Sequence, residues 1–202
     1  MRADLRIISD LISPGARVLD LGCGTGELLA WLQTHKQVNG YGLEIDPTNI
    51  TACLAQGVNV LEQNLDNGLG NFSSDSFDLV VMTETLQAVK RPDVLLGEML
   101  RIGRECIVTF PNFGHWRCRL QLMLRGRMPI ARHLPHAWYD TPNIRLCTFI
   151  DFERLCRERG VRIIERFVVD ASHANPPIIN RFPNVFGTYA FYRLGRPTSA
   201  AH

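Results

Sequence analysis

The sequence predicts a doubly wound α/β domain, in which helices cover both faces of a mostly parallel sheet. Short continuous apolar segments alternate with helical segments over the first 110 residues, which is typical of strands buried on both faces. A glycine-rich turn, Gly22–Gly26, separates the first of these strands from a helix, as in nucleotide-binding folds of this class. With 202 residues, 46% of them hydrophobic, the chain is long enough for one domain with a buried core.

Capping residues and helix breakers bound the helices of the first half. The first helix stops at Ser13-Pro14-Gly15, whereas Asp46 and Pro47 begin another that Gly57 ends. The predicted helices are 4–12, 27–35, 47–56 and 91–101. The predicted strands are 17–21, 40–45, 58–61, 77–82 and 104–110.

The pattern changes after Pro111. A helix over 115–125 is followed by a loop over 126–147 that is rich in proline, arginine and aromatic residues, and then by a helix over 149–159. Two last strands are predicted at 161–170 and 185–194, with a long connection between them. We expect one domain over 1–195, with 111–147 inserted as a lid or docking segment, and a frayed tail over 196–202.

Composition makes several classes of protein unlikely candidates for this sequence. The apolar segments are too short for a membrane-spanning helix, and the first residues lack the apolar block of a signal peptide. The six cysteines form no Cys-x-x-Cys pair. We therefore expect buried free thiols in a reducing cytoplasm, with no metal site and no membrane partner.

The total charge of +2 hides a strong asymmetry. Residues 1–100 carry a net charge of −7, and residues 101–202 carry +9. No acidic residue lies between Glu105 and Asp140, a stretch that holds five arginines: Arg117, Arg119, Arg125, Arg127 and Arg132. This basic region predicts an anionic partner, which could be an acidic protein surface, an acidic small molecule or a nucleic acid.

The glycine turn predicts a nucleoside site. Glycines let the main chain approach a ligand closely, and Glu44, at the end of the second strand, can accept hydrogen bonds from both ribose hydroxyls. Asp20, two residues before Gly22, would repel a pyrophosphate but suits a cationic amino group. The Gly-x-Gly-x-Gly spacing also differs from the dinucleotide pattern.

At these residues the sequence resembles the class I S-adenosylmethionine-dependent methyltransferases. The resemblance implies a Rossmann-like sheet of seven strands with the last antiparallel, and S-adenosylmethionine or S-adenosylhomocysteine as cofactor. By position, Asp20 lies near the methionine amino group, Gly22–Gly26 wrap the methionine moiety, Glu44 binds the ribose and Ile45 packs on the adenine. Asn64 replaces the family's usual aspartate near the adenine amino group, and Asp66 could stand in for it. The cofactor-binding residues predicted in this way are Asp20, Gly22, Cys23, Gly24, Gly26, Glu44, Ile45, Asn64, Leu65 and Thr83.

The basic segment has a helical apolar face formed by Trp116, Leu120, Met123 and Leu124, and the arginines fall largely elsewhere. A lid helix with a solvated basic face and a docking surface are both open interpretations. The segments FPNFGHWRCRLQLMLRGRMP (110–129) and LPHAWYDTPNI (134–144) resemble one family in particular, the methionine biosynthesis protein MetW.

That second resemblance implies a role in methionine biosynthesis. It also implies association with, and activation or regulation of, a homoserine O-acyltransferase that makes an acetyl or succinyl ester. One alternative is a small-molecule methyltransferase whose catalytic candidates are Glu84, His115, Tyr139 and Asp140, with Trp138 beside them. A less favoured alternative is an RNA methyltransferase, because the chain has one basic stretch and no appended RNA-binding module.

Overall fold

Seven strands form a single mixed sheet in the computed structural model, which describes residues 3–170, 172, 174 and 177–197. The strands are β1 (Arg17–Leu21), β2 (Asn39–Glu44), β3 (Asn59–Glu62), β4 (Phe77–Thr83), β5 (Gly103–Pro111), β6 (Arg162–Val169) and β7 (Tyr189–Gly195). Their order is β3-β2-β1-β4-β5-β7-β6. Six strands run parallel, and β7 runs antiparallel to both of its neighbours. The predicted fold class is confirmed.

Helices cover both faces of this sheet. They are α1 (Ala3–Asp10), α2 (Glu27–Lys36), α3 (Pro47–Ala55), α4 (Pro92–Ile102), α5 (Trp116–Arg125), α6 (Phe149–Glu158), α7 (Pro177–Arg181) and α8 (Pro183–Phe186). One buried apolar cluster contains residues of α4 and α6, and a second contains residues of α1, α2 and α3. This two-sided core is what a doubly wound sheet of continuous apolar strands requires.

Local signals place most helix ends. The Asp46 carboxylate accepts a hydrogen bond from the Thr48 amide at 2.7 Å, with Pro47 in the first turn. One predicted boundary is wrong: α8 occupies the first part of the predicted strand 185–194, and β7 begins only at Tyr189. Pro183 favours a helical first turn, and the Gly187 amide then bonds the Pro183 carbonyl oxygen. Phe186 packs against the core from this short helix, so its apolar side chain does not mark an extended strand.

The carboxyl ends of β1, β2, β4 and β5 lie along one edge of the sheet, as parallel pairing demands. The glycine turn follows β1, Glu44 ends β2, and Thr83 ends β4. The insertion, residues 111–147, leaves from the end of β5, and its two ends meet where the Phe113 amide donates to the Cys147 carbonyl oxygen at 3.1 Å. The fold therefore brings the glycine turn and the insertion to the same edge.

The end of β7 is tied to α4. The Arg196 guanidinium donates to the Leu100 carbonyl oxygen at 2.7 Å and to the Asp75 carboxylate at 2.6 Å. The sequence places the start of a frayed tail at this residue, but Arg196 is anchored. Positions 198–202 lie outside the described residues. Within the described part of the chain, no helix is both long and apolar enough to span a membrane.

Candidate cofactor site and the exposed insertion

The glycine turn uses its glycines for two different reasons. All three have left-handed backbones, with φ of 72° at Gly22, 55° at Gly24 and 80° at Gly26. A Cβ on Gly22 would lie 2.6 Å from the Thr85 Oγ1, so this glycine is required by packing. A Cβ on Gly24 would meet nothing within 4 Å, because Gly24 borders an open cavity. The space at Gly24 is therefore available for close approach of a ligand.

This first cavity has a volume of about 330 Å³ and contains a buried carboxylate. Asp20 is only 3% exposed, and its Oδ1 has no hydrogen-bond partner among the described residues. Burial, together with the charge of Glu44, raises the pKa of Asp20 to about 7. The Thr83 Oγ1 borders the same cavity and is likewise buried without a partner among the described residues. A buried carboxylate left in this state calls for a cationic or hydrogen-bonding group beside it.

Glu44 connects the turn to a second cavity of about 260 Å³, and Gly22 lines both cavities. Its Oε2 accepts from the Gly24 amide at 2.8 Å, and its Oε1 accepts from the Ile45 and Asp46 amides at 2.7 and 3.0 Å. Three of about four acceptor positions on the carboxylate are thus taken by the backbone. Glu44 shapes the turn itself, in addition to any contact it makes with a ligand.

The second cavity has an exposed apolar side. Ile45, which is exposed, and Leu65 line it, and they offer a surface on which a base could pack. Asn64 lines it as well, but its Oδ1 already accepts from the Asp66 amide at 2.9 Å. Asp66 in turn accepts from the Lys90 amide at 2.8 Å. The Asn64 Oδ1, which the sequence analysis predicts near the adenine amino group, therefore already has a backbone donor.

The structure does not bring the predicted catalytic candidates together. Glu84 lines the first cavity beside Asp20 and has a left-handed backbone, with φ of 55°, which is uncommon for a side-chain-bearing residue and concentrates at functional sites. His115 caps α5 and lines a different cavity. Tyr139 and Asp140 are exposed and border no cavity described here, as is also true of Trp138.

The sequence analysis missed several residues at the cofactor site, and three of them lie near the glycine turn. Leu5 of α1 and Asn49 of α3 line the first cavity, and the Cys53 thiol donates to the Gly24 carbonyl oxygen at 3.2 Å. The apolar face of α1, which includes Leu5, was the only sequence signal for any of them. It predicts burial but does not indicate against which strand ends α1 lies.

The insertion carries an unusual amount of exposed apolar surface. Of the 19 large apolar side chains that are exposed among the described residues, 11 belong to it. Met123 is 74% and Leu124 is 70% exposed, although the sequence places them on the apolar face of α5. Cys118 is the one buried residue of that helix. Many exposed apolar side chains within one segment are typical of an interaction site.

The arginines of α5 differ in their surroundings. The Arg119 Nε donates to the Gly114 carbonyl oxygen at 2.6 Å, and a second nitrogen reaches the Asn184 carbonyl oxygen at 3.4 Å. The Arg117 guanidinium lies over the Trp116 ring, 5.3 Å from its centroid. Arg119 is therefore a structural anchor, whereas the Arg117 side chain stays at the surface.

Comparison with known proteins is consistent with this geometry. The family model described as methionine biosynthesis protein MetW matches residues 2–194. The chain belongs to the MetW family. The bifunctional methionine biosynthesis protein MetXA/MetW of Rhodopirellula baltica is 34% identical over 208 residues, which cover 97% of this chain and 33% of that relative's length. The family prediction is confirmed, and this chain spans only a third of the relative.

Solved structures show the same fold. A SAM-dependent methyltransferase from Archaeoglobus fulgidus has a TM-score of 0.70 at 16% identity, covering 96% of this chain and 92% of that one. An S-adenosylmethionine-dependent methyltransferase from Mesorhizobium loti has a TM-score of 0.69 at 18% identity, covering 96% of both chains. This member of the MetW family of methionine biosynthesis proteins thus has a methyltransferase-like fold.

Proposed function

We propose that this protein binds S-adenosylmethionine or S-adenosylhomocysteine at the carboxyl ends of β1, β2 and β4. The observation that carries the proposal is the buried Oδ1 of Asp20, which has no partner among the described residues and borders a cavity next to the open space at Gly24. The ligand's methionine ammonium group supplies the missing cation. A dinucleotide would instead place its pyrophosphate near this carboxylate.

The two cavities match the two halves of this cofactor. Asp20, Thr83 and the Gly22–Gly26 turn would hold the methionine portion in the first cavity. Glu44 would bind the ribose, and Ile45 would pack on the adenine in the second. When bound, S-adenosylmethionine supplies an electrophilic methyl group on a sulfonium.

Calorimetry with S-adenosylhomocysteine tests this assignment. Asp20→Asn removes the charge that pairs with the ammonium, so affinity should fall roughly ten- to a hundredfold, as expected for a lost charged hydrogen bond of about 1.5–3 kcal/mol. Asp78→Asn is the matched control, because Asp78 pairs with Arg17 away from both cavities. Equal affinities for wild type and Asp20→Asn would mean that Asp20 does not pair with the ligand.

We further propose that the exposed apolar surface of the insertion binds a homoserine O-acyltransferase and activates or regulates it. The bifunctional relative supports this, because it joins MetXA and MetW in one chain. The surface has the residue types of an interface core, with Trp116, Met123 and Trp138 exposed. The six free cysteines suit a reducing cytoplasm, where we place the complex.

Binding of the acyltransferase to surface variants tests the docking assignment. Met123→Ser combined with Leu124→Ser should weaken binding at least tenfold, because truncating a well-buried interface anchor costs about 2 kcal/mol or more. Leu54→Ser combined with Val94→Ser changes two exposed apolar residues of α3 and α4, and it should leave binding unchanged. Equal losses in both pairs would place the docking surface elsewhere.

A small-molecule methyltransferase is the second candidate function, and one observation favours it. Glu84 is held in a left-handed conformation at the cavity that also contains Asp20. Acceptor-dependent release of S-adenosylhomocysteine that Glu84→Gln abolishes, with cofactor affinity unchanged, would establish it. If no acceptor causes release of S-adenosylhomocysteine, the protein binds the cofactor without transferring its methyl group.

A further inference from the structure

A third cavity, of about 460 Å³, lies beside the start of α5 and the beginning of β7, and it shares no lining residue with the two cofactor cavities. One side is polar and includes two histidines, His115 and His133, two arginines, Arg117 and Arg132, and Asp170. The Asp170 carboxylate accepts from the Ser172 amide at 2.7 Å and from the Ser172 hydroxyl at 2.6 Å. The other side is apolar and includes residues of α7 and α8. The cofactor proposal does not account for this cavity, and of the residues named for the docking surface only Trp116 lines it.

The arginines of the third cavity have no carboxylate partners among the described residues. Arg117 and Arg132 form no ion pair and their guanidinium groups donate no hydrogen bond there, although Arg117 contacts the Trp116 ring. A fourth cavity, of about 480 Å³, gives the contrast. Its arginines each pair with a carboxylate, as Arg101–Glu98, Arg159–Asp93 and Arg196–Asp75. Each arginine of the fourth cavity is therefore paired with a carboxylate, whereas the third cavity has two arginines without an ion pair among the described residues and one carboxylate, Asp170.

His115 adds a hydrogen-bond donor to the third cavity. The residue is 8% exposed, and its Nδ1 accepts from the Arg117 amide at 3.3 Å, so the proton of the neutral ring is on Nε2. That Nε2–H has no partner among the described residues. Burial, with the charges of His133 and Arg117, lowers the pKa of His115 to about 4, so the ring is neutral at pH 7. It is a hydrogen-bond donor without a charge of its own.

The apolar side narrows the class of ligand. Ile179 is buried, and Phe186 and Ile178 complete a surface suited to a hydrocarbon group. The first turn of α5 offers little to a phosphate, because the Arg117 amide is held by His115 Nδ1 and the Cys118 and Arg119 amides bond the His115 carbonyl oxygen. Two guanidinium groups opposite an apolar surface suit a carboxylate with an apolar body.

We propose that the third cavity binds a small organic carboxylate. Arg117 and Arg132 pair with the carboxylate, the His115 Nε2–H donates to it, and the hydrocarbon portion packs against Ile179 and Phe186. This site is separate from the cofactor site, so either proposal can fail without the other.

Calorimetry with 3-phenylpropionate, its neutral amide and inorganic phosphate tests the proposal on the full chain. The acid should bind at least tenfold more tightly than the amide and than phosphate. Arg117→Gln combined with Arg132→Gln should weaken acid binding at least tenfold. Arg125→Gln combined with Arg127→Gln removes the same charge from the same insertion at positions that line no cavity described here, and it should change the affinity less than twofold.

The ring protons of His115, followed by NMR, give a second measurement. Its pKa should rise when the acid is present, because a carboxylate beside the ring favours the charged imidazole, and the amide should produce no such rise. Equal binding of acid and amide, equal losses in both arginine pairs, or no saturable binding of the acid would each overturn the proposal. Tighter binding of phosphate than of the acid would overturn the carboxylate assignment.

Discussion

The glycine-turn side and the insertion side of the same sheet edge differ in how far their side chains find partners within the chain. On the turn side, the backbone satisfies the Glu44 carboxylate with three amides, and left-handed glycines bring the chain close around it. On the insertion side, α5 leaves its apolar face exposed, and Arg117 and Arg132 have no carboxylate partner among the described residues. The first side is largely satisfied within the chain, whereas the second presents exposed apolar side chains and two arginines without an ion pair among the described residues.

The difference shows that backbone contacts shape one part of this sheet edge, whereas the other part presents exposed side chains. Rigid backbone contacts position the turn whether or not a ligand is present, except at Asp20, whose buried oxygen marks where a ligand is needed. The insertion is held at its base by Asn112, which donates to the Gly187 carbonyl oxygen at 2.8 Å, and by the contact of Phe113 with Cys147. Further along, Arg119 donates to the Asn184 carbonyl oxygen at 3.4 Å, and the Arg145 amide donates to the Gln87 carbonyl oxygen at 2.9 Å. Its apolar side chains at Met123, Leu124 and Trp138 nevertheless remain exposed.

The largest expected effect is on cofactor affinity, and it comes from a substitution in the glycine turn. Gly24→Ala adds a methyl group to the open space of the first cavity, so S-adenosylhomocysteine affinity should fall roughly ten- to a hundredfold, which corresponds to about 1–3 kcal/mol of overlap. Gly57→Ala is the matched control, because Gly57 also has a positive φ with nothing within 4 Å and lines no cavity described here. Both variants should lose about 1 kcal/mol of stability. If binding falls equally in both, Gly24 has no special role.

The next effect concerns pH. Because the pKa of Asp20 is raised to about 7, the ionised form that pairs with an ammonium is scarce at pH 6 and dominant at pH 8. Cofactor affinity should therefore rise about tenfold over that range, and calorimetry at several pH values measures it. In the ligand-free protein the folded state binds the extra proton between about pH 4 and 7, so this group makes stability fall as pH rises. Asp20→Asn should remove both slopes, and a wild-type affinity independent of pH would contradict the assignment.

A smaller effect, on the free energy of unfolding, should distinguish an arginine that anchors the insertion from one that is only a surface charge. Arg119→Ala removes two hydrogen bonds to backbone carbonyl oxygens and should lower the free energy of unfolding by about 1–2 kcal/mol, as measured by urea denaturation. Arg125→Ala, on the same helix, should change it by less than about 0.5 kcal/mol. Similar losses would mean that both arginines stabilise the fold, or that neither does.

The smallest expected effect on stability is at Trp138, which is exposed despite its size. Trp138→Ser should change the free energy of unfolding by less than about 0.5 kcal/mol. The same variant should weaken acyltransferase binding if the insertion is the docking surface. A large loss of stability would instead make Trp138 part of the core, and the contrast between the two sides would be less sharp.

Much of the fold was predictable because its signals are local. Continuous apolar segments, the Asp46–Pro47 helix start and the positive-φ glycines each act over a few residues, and the helices and strands formed where these signals lie. There are two exceptions: α7 lies in the predicted connection, and α8 arose where an apolar segment was read as extended although Pro183 begins a helical turn. Apolar residues alone do not distinguish a strand from a short packed helix.

The sequence by itself determined the parallel sheet, the glycine turn and the family, because each depends on neighbouring residues in the chain. Only the tertiary structure decided which apolar faces are covered. Helical spacing puts Met123 and Leu124 on one face, but burial depends on distant segments, and among the described residues no segment covers them. Likewise Arg119 meets the Asn184 carbonyl oxygen 65 residues away, and the third cavity is assembled from α5, the loop at Arg132 and the start of β7. Contacts between segments so far apart are fixed by the packing of the whole chain, which no local pattern encodes.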